Sequence, residues 1–223
     1  MNPISTLLLA AGLGLSGYAH VPPVIPAARA TETWLFSETV IYRENRDPTM
    51  VWLADGRQLQ VFFGEIPAEQ IDTWQAGRPL RLAYSAQTGS VLIDPATSVQ
   101  LPVLAGLGEG HPLDLLLAQQ LVAAANTQAV VEAYAASSEL WDGERRRGLG
   151  LLLASSVVPT KTKQTLRQAD SRWATYREAQ VEAAATLYSR GGGTLWRIET
   201  ACFDHDLRRS RALECGRLVA GAN

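Results

Sequence analysis

The chain has 223 residues, 47% of them hydrophobic and 19% charged. That composition excludes a disordered protein and suffices for one or two domains with a real core. A net charge of −2 without a basic block excludes a nucleic-acid binder.

Residues 10–17, "AAGLGLSG", place Gly12, Gly14 and Gly17 in the G-x-G-x-x-G spacing of a dinucleotide-binding turn. That turn needs a helix behind it to hold a pyrophosphate. Pro22, Pro23 and Pro26 fall where its middle would be, and each interior proline costs a helix about 3 kcal/mol. No cofactor site is expected there. Ile4 to Leu15 is instead an apolar run followed by small residues, the pattern of a secretory signal. Cleavage after Ala19 or after Ala30 satisfies the small-x-small rule. The run is short and broken by glycine for a bilayer span, so membrane attachment is expected only through an uncleaved signal. The protein reads as exported, periplasmic or secreted, with residues 1–30 as signal and Pro-rich lead-in.

Residues 31–105 have β texture. "TWLFSETVIY" is aromatic and β-branched, and "TMVWLADGRQLQVFFG" is two apolar runs around Asp55-Gly56, a hairpin signal. "EIPAEQIDTWQAG" reads as a short helical or looped insertion. "RPLRLAYSAQTGSVLID" is a second hairpin, and "TSVQLPVL" closes the sheet. Five or so short antiparallel strands predict a small barrel or rolled sheet.

Residues 111–220 read as an all-α bundle of about four helices, so the fold class is α+β. Pro112 suits the first position of a helix. One helix is expected from Asp114 to about Ser138 and a second from Trp141 to Ser156 after a break. A third runs from Thr160 to Arg190, stopped by three glycines, and a last from Leu195 to Leu218. The third helix carries Leu166, Ala169, Trp173, Tyr176, Gln180, Ala183 and Leu187 at steps of three and four, a seam facing other helices. Trp173 and Tyr176 are its expected core anchors. "GERRRG" at 143–148 reads as a solvated charged turn. Charge divides with texture: residues 31–105 carry net −4 and residues 110–223 net +2.

Chemistry-bearing residues are scattered. His20, His111 and His205 form no catalytic constellation, and Asp204-His205-Asp206 splay around a helix too widely to share one ion. Cys202 and Cys215 lie 13 residues apart in one expected helix, roughly 20 Å and beyond disulfide reach. No enzyme activity, metal or cofactor is expected.

"LRQADSRWATYREAQ" resembles the signature of the LprI-like lysozyme-inhibitor family: Leu, Ala-Gln, Trp, then Tyr-Arg-Asp-Ala-Glu. Leu166, Ala169, Trp173, Tyr176, Arg177 and Ala179 match. "GGGTLWR" is similar to its Gly-Gly-Thr segment, and Arg211 fits the arginine of its last helix. "HPLDLLL", "NTQAVVEAY" and Trp141-Asp142 resemble a branch of the family upstream. The resemblance covers about residues 111–218, half of the chain. The β half lies outside it. Three departures stand out. "GERRRGLG" follows Trp141-Asp142 where the family has Glu-Leu-Asn and a tyrosine. Asp170 replaces the usual glutamine. Gln120 and Ala133 occupy places where members commonly carry cysteines.

The resemblance implies a cell-envelope binding protein that blocks a lysozyme-type muramidase by occlusion, without catalysis. Its expected partner is a protein. Gly191, Gly192, Gly193 and Thr194 form the expected partner-contact loop. The alternative is a structural or adaptor module of the periplasm with no effect on lysozyme.

Overall fold

The computed structural model describes residues 32–47, 49–62, 71–107 and 110–222. The segment expected to be a signal and residues 63–70 of the insertion lie outside them. Six strands precede four helices: β1 (Phe36–Asp47), β2 (Met50–Leu53), β3 (Gln58–Val61), β4 (Pro79–Ser85), β5 (Gly89–Ile93) and β6 (Gln100–Leu107), then α1 (Pro112–Ala123), α2 (Thr127–Ala154), α3 (Thr160–Ser189) and α4 (Leu195–Gly221). The α+β class is as expected, with six strands rather than about five.

The strands close a barrel in the order β1-β2-β3-β6-β5-β4, all neighbours antiparallel. Two three-stranded meanders are thus joined twice, by β3 with β6 and by β1 with β4. β1 serves both meanders: Phe36–Ile41 pairs with β4, and the stretch from Tyr42 pairs with β2. Register shifts after Tyr42 and after Asn45 bend the strand between them, as bulges do. Alternation points Val51, Leu53, Leu59 and Val61 inward, where all are fully buried. β5 is buried on both faces, because Trp34 covers the outer side of Ala83, Val91 and Ile93 and α2 docks alongside. Asp94 ends β5. Its carboxylate accepts from Arg78 (2.7 and 3.2 Å), the Ala96 amide (3.0 Å) and the Thr97 hydroxyl (2.5 Å). Burial pushes this carboxyl up, but those donors outweigh it and hold it below the usual range.

The helix boundaries correct one expectation. The break falls at residues 124–126, not before Trp141, and α2 runs unbroken through "LWDGERRRGLG". Asn126 decides this: its side chain accepts from the Ala129 amide at 2.9 Å, the strongest kind of helix start. "GERRRG" is therefore mid-helix, not a turn. Gly148 serves packing there, because a Cβ would lie 3.2 Å from the Cys215 side chain. α4 is continuous between Cys202 and Cys215, and both thiols are free. Among the described residues, no helix is long and apolar enough to cross a membrane.

α2 and α4 run parallel: Tyr134 stacks on His205, Glu139 pairs with Arg208, and Gly148 lies beside Cys215. α3 returns between them in the opposite sense. The second halves of α2 and α4 pack on the barrel. Leu113, Trp141 and Ala212 join the barrel's own apolar cluster, and Leu104 of β6 packs with Leu152, Val158 and Val219. One hydrophobic interior thus spans both halves of the chain.

α3 keeps part of its expected seam, with Leu166, Ala169, Trp173 and Gln180 half-buried, but Tyr176, Ala183 and Leu187 are exposed. Asp170 and Arg177 are also half-buried and Ala184 is buried. Tyr176 is 54% exposed and Leu187 60% exposed, so Tyr176 is not a core anchor. The helix is rolled because Asp170 and Arg177 have ionic partners on α2 and α4. Two paired charges outweigh one aromatic and one leucine that remain tolerable in water.

Gly216 shows how close α4 comes to the barrel: a Cβ there would fall inside the carbonyl of Leu104, which is backbone and cannot step aside. Gly216→Ala should lower stability by about 2–3 kcal/mol through overpacking. Gly143→Ala, with no atom near its would-be Cβ, should raise stability by about 0.5–1 kcal/mol through helix propensity. Urea unfolding of both variants measures the contrast.

Candidate functional site

The signature residues lie where the helices meet. Trp141 is 1% exposed. Its ring lies 4.4 Å from that of His111 and beneath the Arg209 guanidinium at 5.6 Å. Arg209 in turn grips Asp114 of α1 with two bonds of 2.7 Å. His111 caps α1, its Nδ1 accepting from the Leu113 amide at 3.2 Å. Burial, then the charges of Arg147 and Arg209, hold the imidazole well below its ordinary value near 6.5. It is neutral, as an accepting nitrogen must be.

The three consecutive arginines are all engaged. Arg145 pairs with Asp142 (2.8 Å) and with Asp170 of α3. Arg146 reaches Asp142 at 3.2 Å. Arg147 pairs with Glu144 and donates to the Val103 carbonyl at 3.0 Å, while Glu144 accepts from the Ser90 amide at 3.0 Å. Glu144 and Arg147 thus tie α2 to β5 and β6. Arg145 of "GERRRG" and Asp170 of α3 are thus partners across two helices.

Trp173 is half-buried, not a core residue. Arg145 lies over its ring at 5.1 Å and Arg177 at 6.0 Å. Arg177 also faces Asp204 at 3.6 Å, and Arg208 bridges Asp204 (3.1 Å) and Glu139 (2.8 Å). Leu166 packs at the other end of α3, against the Leu104 cluster. Arg211 pairs with Glu214 at 2.7 Å. Trp141, Asp142, Leu166, Trp173, Arg177 and Arg211 therefore make internal contacts, and of the signature side chains Tyr176 faces water. Asp142 is held below the usual carboxylate range despite burial, by Arg145 first and then Arg146 and Arg208.

Gly191, Gly192, Gly193 and Thr194 are exposed and join α3 to α4. Gly192 and Gly193 have φ of 71° and 75°, a region that favours glycine. Leu187 and Leu195 (67% exposed) flank the loop with Tyr188. On the α1–α2 side of the bundle, Gln120 and Ala133 line one open groove of about 340 Å³. Gln120 and Ala133 are thus neighbours in space.

Cys202, Tyr134, His205 and Asp206 form a further polar group. His205 Nδ1 is 3.2 Å from Asp206, and Cys202 Sγ is 4.0 Å from it. Burial pushes the Cys202 thiol up, which opposes nucleophilic use. Among the described residues, no group of three or more His, Cys, Asp or Glu side chains is arranged to hold a metal ion. The sequence alone missed the Arg209–Asp114 and Arg145–Asp170 pairs. Only the second left a signal, two departures from one signature.

Trp173→Ala should cost about 1–2 kcal/mol, the scale of a half-buried cation–π site, and thermal unfolding measures it. His111 supplies a pH dependence. Its folded-state value lies below the unfolded one, so the folded chain binds fewer protons. Stability is full above about pH 6.5 and falls as pH drops below it, by up to about 1.4 kcal/mol per unit. His111→Asn keeps a capping oxygen and removes the titration. Between pH 6.5 and 5 the variant's stability should fall less steeply than that of the natural chain in urea titrations.

Compared with known proteins, the chain matches no family model, no curated protein and no solved structure.

Proposed function

We propose that the chain is an exported, non-catalytic binding protein of the cell envelope that inhibits lysozyme-type muramidases by occlusion. One observation carries this reading. Apart from Tyr176, the charged and aromatic residues of the motif make contacts inside the bundle, and the loop of Gly191–Thr194 stands exposed between Leu187, Tyr188 and Leu195. A narrow loop on two long helices suits insertion into a cleft, and occlusion asks no chemistry of the inhibitor. Two features support the family resemblance behind it: Gln120 and Ala133 share a groove, and Arg145 and Asp170 depart from the signature together as an ion pair. Lysozymes are often cationic, so the acidic β half favours encounter.

The adaptor reading keeps the same presented loop and changes its partner. A cell-wall suspension clearing under c-type or g-type lysozyme separates the two. Purified protein should slow clearing in proportion to its concentration. Full clearing with both enzymes at tens of micromolar protein overturns the inhibitor and leaves the adaptor, whose partner crosslinking from envelope extract would then recover.

A further inference from the structure

Resting on the occlusion reading, we infer that the contact surface is the whole distal end of the bundle, the α1–α2 turn included. Arg190 and Arg197 are its groups that meet the paired carboxylates of the muramidase cleft. The parallel course of α2 and α4 places residues 124–126 and 190–194 at one end of the bundle. Trp141, at the barrel, is fourteen residues from Thr127, so this end stands about 20 Å out along α2.

Three observations single out this end. Among the described residues, nine large hydrophobic side chains are exposed, and four of them gather here: Val122 (90%), Leu187, Tyr188 and Leu195. The loop side of this end, residues 186–198, contains Arg190 and Arg197 and no acid, whereas Glu132 lines the groove on the α1–α2 side and Glu199 follows in the first turns of α4. Most arginines near them in the bundle are paired, as Arg145, Arg177, Arg208 and Arg209 are. Arg190 and Arg197 are exposed, and neither forms an ion pair among the described residues. Tyr188, Arg190 and Arg197 are of the residue types enriched at interface centres, and the exposed Val122, Leu187 and Leu195 add apolar area around them.

The occupant follows from charge and shape. A glycosidase that retains configuration carries two carboxyl groups roughly 5–5.5 Å apart in its cleft. Two guanidiniums on either side of a glycine loop complement that arrangement.

The test compares four proteins in the lysozyme clearing assay and in direct binding to the same enzyme. They are the natural chain, Arg190→Glu/Arg197→Glu, Leu187→Ser/Leu195→Ser, and the control Arg167→Glu/Arg172→Glu. The control residues are also exposed and unpaired, but sit toward the other end of α3. Matching melting temperatures establish that all four fold, since every substituted side chain is exposed. The expected result is a loss of affinity of at least about tenfold for both distal variants, with the control unchanged. Inhibition by the natural chain that survives both distal changes overturns this surface and leaves the inhibitor standing. Equal loss in the control also overturns it, as a general charge effect. No inhibition by any of the four overturns the inhibitor reading, and this inference with it. Co-sedimentation of the natural chain with phosphatidylglycerol vesicles, abolished in Arg190→Glu/Arg197→Glu, would assign the end to lipid and overturn the protein partner.

Discussion

The packing of Trp141 is the contact on which the rest of the structure depends. One indole joins the barrel's apolar cluster, stacks on the cap of α1 and lies under an arginine of α4. A barrel of short strands has little interior of its own. Here helix residues complete that interior, and Trp141 is the largest of them. The polar contacts around it are then constrained. His111 must stay neutral to accept, and Arg209 is held both by Asp114 and by the attraction of the Trp141 face for its charge.

Beyond that junction the bundle changes character. α2 and α4 are joined by close approach, with glycine or alanine where they touch each other or the barrel. α3 is joined largely by charge. Its contact face is a row of Asp170, Trp173 and Arg177 against Arg145 and Asp204. Such pairs fix orientation more than they add stability. The helix is thereby set in one rotation without a deep apolar stripe, and this leaves Tyr176 in water.

The strands, the hairpin at Asp55-Gly56 and the extent of the last two helices were legible because each has a local cause: alternation, a turn dipeptide, a glycine stop. The break at Asn126 was legible in principle, since asparagine before a helical run is a cap, but the expected break was placed between Ser138 and Trp141. The reason for the glycines after Trp141 is tertiary, as Gly148 shows by lying against Cys215. The rotation of α3 was not legible. Apolar spacing chose Tyr176 and Leu187, and the deciding partners Arg145 and Asp204 lie on other helices. The candidate surface was half legible: three glycines announce a loop, but nothing local says that the α1–α2 turn ends beside it.

The strand order also governs how the chain comes to be folded. β1 closes on β4 and β3 on β6, so the barrel cannot close before residue 107 exists. The interior then waits for Ala212 of α4 to arrive. Contacts so distant along the chain form slowly, because loop entropy is spent before they reward it. A nascent chain of this design stays open until nearly its whole length is available. The final helix is thereby the step that commits the molecule to its native form.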